Sequence, residues 1–179
     1  MLTVYAIEKS EIYGHGTRAV IWFSGCTLCC PGCVNQNMWD KTSGKPMTVE
    51  QVLRMIALYE GITGVTYIGG EPLQQGRELL ILSEKIRILG LDIVLFTGYE
   101  EHEFSDVQIV VAECASVLIV GRYMESQRDT TLLLRGSRNQ KIIVKDKSLL
   151  PFYTQECRQV EIWIDRDTDK FLGFPEDFL

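Results

Sequence analysis

The chain has 179 residues, of which 46% are hydrophobic and 23% charged, and 18 Lys and Arg against 24 Asp and Glu give a formal net charge of −6. This length fits one domain over 1–179, and the composition excludes intrinsic disorder, collagen-like repeats and a coiled-coil rod. The acidic balance argues against nucleic-acid binding, because such proteins normally carry a basic face.

Membrane and secretion signals are also missing from the sequence pattern. The longest nearly apolar run, 107–120, contains Gln108 and Glu113 and is shorter than the ~20 residues of a membrane-spanning helix. The first residues, MLTVYAIEKSEIYG, lack the basic start and apolar stretch of a signal peptide. We therefore expect a cytoplasmic protein, in which the six cysteines do not form disulfides.

Short runs of β-branched residues alternate with helical patterns along the chain. Strands are predicted at 18–25, 64–70, 91–98, 116–121, 141–145 and 160–165, helices at 48–59 and 77–89, and a partly helical segment at 100–115. Thr48 and Gln51 have the spacing of a capping box at the start of the first helix. Apolar faces are predicted on the two helices at Val52, Met55, Ile56 and Tyr59, and at Leu79, Leu82, Ile86 and Leu89.

This alternation predicts an α/β fold with a mostly parallel sheet, either open or rolled into a partial barrel. The chemistry of such folds lies in the loops at the C-terminal ends of the strands. The three most unusual loops follow Gly25, Ile68 and Phe96. We expect them to meet at one edge of the sheet.

Four of the six cysteines lie within eight residues: Cys26, Cys29, Cys30 and Cys33. Such density favours a metal centre, and two arrangements are open. Two Cys-x2-Cys pairs could surround one zinc ion, although zinc sites normally separate their pairs by many residues. Alternatively, Cys26, Cys30 and Cys33 could bind three irons of a cubane cluster and leave the fourth iron open to a substrate.

The Cys-x3-Cys-x2-Cys spacing after a first strand resembles the signature of radical S-adenosylmethionine (SAM) enzymes. The wider segment SGCTLCCPGCVNQNMW resembles the activating proteins of anaerobic ribonucleoside-triphosphate reductase. The resemblance implies a partial (β/α) barrel of the radical SAM type. It also implies a [4Fe-4S] cluster bound by Cys26, Cys30 and Cys33, with SAM on the open iron.

Three further segments carry the same resemblance: the turn Gly69-Gly70-Glu71-Pro72, the sequence Thr97-Gly98-Tyr99, and Gly121-Arg122-Tyr123 followed by RGSRNQ at 135–140. In radical SAM enzymes the Gly-Gly-Glu-Pro turn holds the amino group of the methionine moiety. The resemblance implies the following SAM contacts: Gly32, Cys33, Val34, Gly69, Gly70, Glu71 and Thr97. For Thr97 a plain strand-to-turn role is the alternative.

The resemblance implies an activase that cleaves SAM reductively and generates a glycyl radical on the large subunit of anaerobic ribonucleotide reductase. The electron would come from a flavodoxin-like or ferredoxin-like donor. Action on another glycyl radical enzyme or on a peptide is an open alternative, and so is a non-catalytic zinc or iron–sulfur binding module. Val34 and Val120 depart from the family pattern, and the C-terminal extension 140–179 is not explained by it.

The remaining candidates are predicted to have no chemical role. We expect His15 in a surface loop, His102 at a solvated helix start, and Cys114 and Cys157 as isolated thiols. Cys29 has no assigned function. The acidic segments 100–106 and 161–169 are predicted to be solvated faces.

Overall fold

The computed structural model describes residues 1–154, 160–164 and 169–173, and its main element is a seven-stranded sheet. The strands are β1 (Leu2–Ser10), β2 (Arg18–Phe23), β3 (Lys45–Met47), β4 (Gly64–Gly69), β5 (Asp92–Thr97), β6 (Val117–Val120) and β7 (Lys141–Val144). The helices are α1 (Val49–Ile56), α2 (Arg77–Ile88), α3 (Asp106–Cys114) and α4 (Leu150–Tyr153). Single 3-10 turns lie at Gln36–Met38, Lys41–Ser43, Pro72–Gln75, Glu101–Glu103, Glu125–Gln127 and Lys147–Leu149.

The strand order is β3-β1-β2-β4-β5-β6-β7. The central strands β2, β4, β5 and β6 are parallel to their neighbours, while β1 and β7 pair antiparallel with β2 and β6, and β3 pairs antiparallel with β1. All strands except β1 and β7 therefore point in one direction. The α/β class with a parallel centre is confirmed.

The two faces of the sheet are covered differently. On one face, Ile21 and Phe23 of β2 belong to the main core together with residues of α1, α2 and α3. On the other face, Val20 and Trp22 pack with Tyr13 and Met38 from loops. Because both faces are covered, every residue of β2 is buried, as expected of a central parallel strand. The loop-covered face is where the cavity described below is found.

The observed helix starts agree with the sequence prediction better than the observed helix ends do. The capping box of Thr48 and Gln51 is present at the start of α1, but the helix ends at Ile56 and Met55 is 40% exposed. Leu89 was expected on the buried face of α2 and is 61% exposed. It caps the helix, where the Gly90 and Leu91 amides bond back to Arg87 and Ile86 and the chain turns away from the core.

Besides a strand at 169–173 described below, two strands of the main sheet were not predicted, β1 and β3, and the second of them lies in a polar stretch. They pair with each other at the end of the sheet next to β2. The ambiguous segment 100–115 contains α3, whose start is a capping box of Ser105 and Gln108. β7 joins the main sheet, so the chain after residue 140 contributes to this fold.

A separate two-stranded antiparallel sheet is formed by β8 (Val160–Ile164) and β9 (Asp169–Gly173). The predicted strand at 160–165 is confirmed over β8, whereas its last residue lies outside the described residues. Cys157 and part of the acidic segment 161–169 also lie outside them. None of the helices in the described ranges is long and apolar enough to span a membrane.

Candidate functional site

The loops after β2, β4 and β5 meet at the C-terminal edge of the sheet, as the sequence predicted. The Gly70 amide donates to the carbonyl of Phe23 at 2.8 Å, and the Glu71 amide donates to that of Gly25 at 2.9 Å. The turn after β6 joins them, since the Gly121 amide donates to the Tyr99 carbonyl at 3.1 Å. Four loops from four adjacent parallel strands thus surround one cavity.

The cysteine loop divides its four thiols between this cavity and solvent. Cys26, Cys30 and Cys33 line the cavity and are half-buried, whereas Cys29 is exposed. The backbone of Cys29 has a φ of 47°, which is uncommon for a residue with a side chain. This left-handed residue separates the otherwise adjacent side chains of Cys29 and Cys30.

The environment of the thiols is partly apolar. Burial raises the pKa of the Cys26 thiol, and backbone hydrogen bonds from Leu28 and Cys29 oppose this effect. Burial also raises the pKa of the Cys30 thiol, against a backbone hydrogen bond from Tyr123 and the charge of Arg122. The turn after β6 therefore supplies a donor and a positive charge beside Cys30.

The donor set can be compared with the two metal arrangements. Within the described ranges, no three His, Cys, Asp or Glu side chains are grouped to hold a single metal ion, as a tetrahedral zinc site requires. A [4Fe-4S] cluster places each thiolate on a different iron, so its ligands do not need to converge on one atom. Three thiols from one loop that line one cavity fit such a cluster.

The glycines of the turn after β4 are required by close backbone packing. A Cβ on Gly69 would lie 2.5 Å from the Phe23 carbonyl oxygen, and one on Gly70 would lie 2.8 Å from that of Gly25. Gly69 also has a φ of 107°, which disfavours any residue with a side chain. Both glycines line the cavity, so their backbone is accessible to a bound group.

The carboxylate of Glu71 connects two of the loops. It is 1% exposed and accepts hydrogen bonds from the Leu73 amide at 2.9 Å, the Thr97 hydroxyl at 2.9 Å and the Gly98 amide at 2.8 Å. Burial raises the pKa of Glu71 to about 7, although these hydrogen bonds lower it. The turn after β4 is therefore fixed to the turn after β5.

Thr97 has a structural role that the sequence left open. Its hydroxyl donates to Glu71 and accepts from the Tyr99 amide at 3.1 Å, which is the strand-to-turn role. Next to it, a Cβ on Gly98 would lie 2.4 Å from a methyl carbon of Leu28. The Thr97-Gly98-Tyr99 turn thus packs against the cysteine loop.

Amide side chains that the sequence did not single out hold these loops together. Gln74 donates to the hydroxyls of Thr27 and Tyr99 at 2.8 and 2.9 Å. Asn35 donates to the Gly69 carbonyl at 3.1 Å. The position of Gln74 just after the Gly-Gly-Glu-Pro turn was a usable signal, because a residue there faces the neighbouring loops.

Residues 122–140, called the arm below, leave the end of β6 and return to β7. The RGSRNQ segment closes it. The Gln140 side chain accepts from the Gly136 and Ser137 amides at 2.9 and 3.2 Å and donates to the Gly121 carbonyl at 3.0 Å. Asn139 donates to the Arg122 carbonyl at 2.7 Å.

The arm forms one wall of the cavity. Leu132, Leu133 and Leu134 line it together with Phe96 and Ile119 of the sheet, and Leu133 and Leu134 share one buried apolar cluster with these two residues. Gly136 and Ser137 are buried, so this part of the signature is not a polar surface turn. At the base of the arm, the buried Asn139 Oδ1 has no donor in the described part of the chain.

His15 is not in a solvated loop, so that prediction is wrong. Its side chain is 14% exposed, and its ring nitrogens lie 2.7 Å from the Tyr153 hydroxyl and 2.9 Å from an Asp92 carboxylate oxygen. Asp92 also pairs with the fully buried Arg18. This network lies at the N-terminal ends of β2 and β5, opposite the cavity.

The predictions for His102 and Cys114 agree with the structure. The His102 side chain is 77% exposed, and Cys114 is half-buried with its thiol pKa raised by burial. In the acidic segment 100–106, Glu103 is the exception to a solvated face, since it pairs with Arg122 at 2.6 Å.

Comparison with known proteins shows what the chain is similar to. Residues 12–143 match a family described as a 4Fe-4S single cluster domain. The anaerobic ribonucleoside-triphosphate reductase-activating proteins of Salmonella typhimurium and Escherichia coli K12 are each 34% identical over 139 residues, covering 73% of this chain and 90% of theirs. The protein of the same name from Enterobacteria phage T4 is 35% identical over 138 residues, covering 73% and 86%.

Among solved structures, QueE from Escherichia coli aligns with 64% of this chain and 68% of its own, at a TM-score of 0.47 and 16% identity.

Proposed function

Since the chain belongs to the family of anaerobic ribonucleoside-triphosphate reductase-activating proteins and matches a 4Fe-4S single cluster domain, we propose that it is a radical SAM activase. Its target is the large subunit of anaerobic ribonucleotide reductase, on which it generates a glycyl radical. The observation that carries the proposal is the shared cavity of three thiols and the Gly-Gly-Glu turn. The whole chain acts as one cytoplasmic radical SAM domain whose sheet forms a partial barrel.

In this proposal Cys26, Cys30 and Cys33 bind the cluster, and Cys29 does not. The exposure of Cys29 and the position of the other three thiols in the cavity support this ligand set. Bound cluster and SAM together supply one-electron reductive cleavage of SAM and hydrogen-atom abstraction from a glycine of the partner. The electron comes from a flavodoxin-like or ferredoxin-like protein.

The chain itself binds and orients SAM. The backbone of Gly69 and Gly70 faces the cavity and suits an ammonium group, because carbonyl oxygens accept its protons. Glu71 holds that turn in place by its hydrogen bonds to Thr97 and Gly98. The backbone of residues 32–34 contacts the adenine.

The apolar wall of the cavity excludes water. Trp22 and Phe96 from the sheet and Leu132–134 from the arm line it. Such exclusion suppresses side reactions with solvent. The same wall leaves room between sheet and arm for a glycine-bearing segment.

Anaerobic purification tests the proposal. We expect about four irons and four sulfides per chain, formation of 5′-deoxyadenosine from SAM on reduction, and a glycyl-radical doublet by electron paramagnetic resonance when the reductase large subunit is added. SAM cleavage without a doublet would assign the activity to another glycyl radical enzyme or a peptide. One zinc per chain and no SAM cleavage would make the protein a binding module.

A further inference from the structure

The arm is basic in an acidic chain. Residues 122–140 contain four Arg against one Glu and one Asp, a formal charge of +2, so the remaining residues carry −8 of the total −6. No cofactor proposed above needs this charge at the surface of the arm. A positive patch beside a cavity attracts and orients an acidic partner.

Two of the four arginines already have carboxylate partners. Arg122 pairs with Glu103 at 2.6 Å, and Arg138 pairs with Asp129 at 2.9 Å. Arg128 is exposed and Arg135 is half-buried, and neither has an ion-pair partner among residues whose side chains are described. The arm thus presents two guanidinium groups whose charge is not balanced locally.

The arm also lies beside the cysteine loop and along the cavity that a partner segment would enter. Its start hydrogen-bonds Cys30 through the backbone of Tyr123, and Glu125 lies against Gly32 of the cysteine loop. Its middle contributes Thr130 and Leu132–134 to the cavity wall. Any chain that enters the cavity between the cysteine loop and the sheet therefore runs along the arm.

We propose that the arm is the docking surface for the partner segment that carries the target glycine, and that Arg128 and Arg135 contact carboxylate side chains on the partner surface around that glycine. This inference rests on the proposed function and specifies the partner's chemistry. The apolar wall at 132–134 receives the backbone around the glycine, and the two arginines form a charged rim. A rim of this kind acts mainly on association rate and specificity.

The test is a charge reversal in the full-length protein with its cluster reconstituted. The variant is Arg128→Glu/Arg135→Glu, and the matched control is Arg54→Glu/Arg77→Glu, which changes two exposed arginines of α1 and α2. Association with the reductase large subunit is measured by anaerobic biolayer interferometry at low and high salt. Iron content and partner-free SAM cleavage by dithionite are measured on every protein.

We expect the arm variant to associate at least about tenfold more slowly at low salt, with the difference shrinking as salt rises, and the control to behave like wild type. Iron content and SAM cleavage stay unchanged in both. Because Arg135 is half-buried, Arg128→Glu alone is the second variant and shows a smaller change in the same direction. Replacing the acidic residues beside the partner's glycine with Lys restores association of the arm variant.

Three results overturn the inference: unchanged association with the reductase, slower reduction by the electron-donor protein with reductase binding intact, or loss of self-association alone. The last two assign the basic arm to the donor or to a second copy of the chain. Failure of the proposed function is distinguishable, because the wild-type protein would then neither cleave SAM nor bind the reductase.

Discussion

At the scale of single residues, the site depends on one buried carboxylate and one exposed thiol. Glu71 has its three hydrogen bonds within the protein, so its first effect is to fix the geometry of two loops. Cys29 occupies a left-handed conformation that turns its side chain away from those of its neighbours. The first feature depends on contacts between two loops and the second on local backbone geometry, and a motif describes neither.

The cysteines give the first prediction. Cys30→Ala is expected to lose the cluster, because it removes a thiol that lines the cavity, while Cys29→Ala is expected to keep it, because that thiol is exposed. Iron and sulfide content after anaerobic reconstitution measures both. The opposite pattern, with the cluster lost in Cys29→Ala and retained in Cys30→Ala, would contradict the ligand set.

Glu71 gives a prediction on pH. Its pKa in the folded protein is about 7, above the ~4.3 of an unfolded chain, so the folded state binds a proton that the unfolded state releases. Its contribution to stability is complete below about pH 4 and is lost as pH rises through 7. We expect the unfolding free energy to fall by on the order of 2–3 kcal/mol over this window.

Urea denaturation of the cluster-free protein between pH 5 and 8 measures this effect. Glu71→Gln is the matched control, because an amide does not titrate in this range. The difference in unfolding free energy between the two proteins should change with pH. If their stabilities changed in parallel, Glu71 would not be the titrating group.

At the scale of elements, the RGSRNQ segment holds the two ends of the arm together. Its side chains bond to the backbone at both ends of the arm, at Gly121 and Arg122 on one side and Gly136 and Ser137 on the other. Leu134 within the arm has a φ of 54°. Such strain persists only where surrounding contacts fix the chain.

Gln140→Ala is predicted to loosen the arm. It removes one hydrogen bond that the side chain donates and two that it accepts, and it leaves the amides of the buried residues Gly136 and Ser137 without a partner, a cost of about 1–3 kcal/mol. Faster limited proteolysis within 122–140 should report the change. Gln127→Ala, whose side chain donates a hydrogen bond to the sulfur of exposed Met124 in the same arm, is the control and should be cut at the wild-type rate.

At the scale of the whole molecule, an ionic network opposite the cavity ties distant parts of the chain together. Arg18 of β2 is fully buried and contacts Asp92 of β5, while His15 bridges Asp92 to Tyr153 of α4. A buried charge is tolerated only when it is paired and hydrogen-bonded. The network therefore anchors the segment that follows the arm.

Asp92→Asn is predicted to destabilise the protein by on the order of 3 kcal/mol at pH 7, because it leaves Arg18 without its counter-charge. Burial alone would raise the pKa of Asp92, but the hydrogen bond from His15 and the charge of Arg18 hold it below its usual range. The stabilisation is present above about pH 4 and is lost as pH falls through the folded pKa.

The cost of Asp92→Asn, measured by urea denaturation, should thus be smaller at pH 3 than at pH 7. Asp106→Asn, a change at an exposed position at the start of α3, should cost less than about 0.5 kcal/mol. A cost of Asp92→Asn that did not change with pH would rule out the ion pair as its cause.

The sequence by itself determined the parallel strands, the capped helix starts and the motif-bearing loops. These are local: periodicity, capping spacing and glycine position act within a few residues. Spacing left two metal arrangements open for the cysteine loop, and the ligand set of Cys26, Cys30 and Cys33 was implied by the family resemblance. Strands β1, β3 and β9 were not predicted, and β3 pairs with a strand far earlier in the chain, a contact that no local pattern encodes.

Only the tertiary structure decided which side chains meet. Examples are the contact of Glu71 with Thr97, the contacts of His15 with Asp92 and Tyr153, and the position of the arm against the cavity. These contacts join residues 26 or more positions apart or separate elements. Such contacts depend on strand order and on how loops cross the sheet edge, which no local pattern encodes. The family signature marks where the chemistry lies, and the packing of four loops determines which atoms can take part in it.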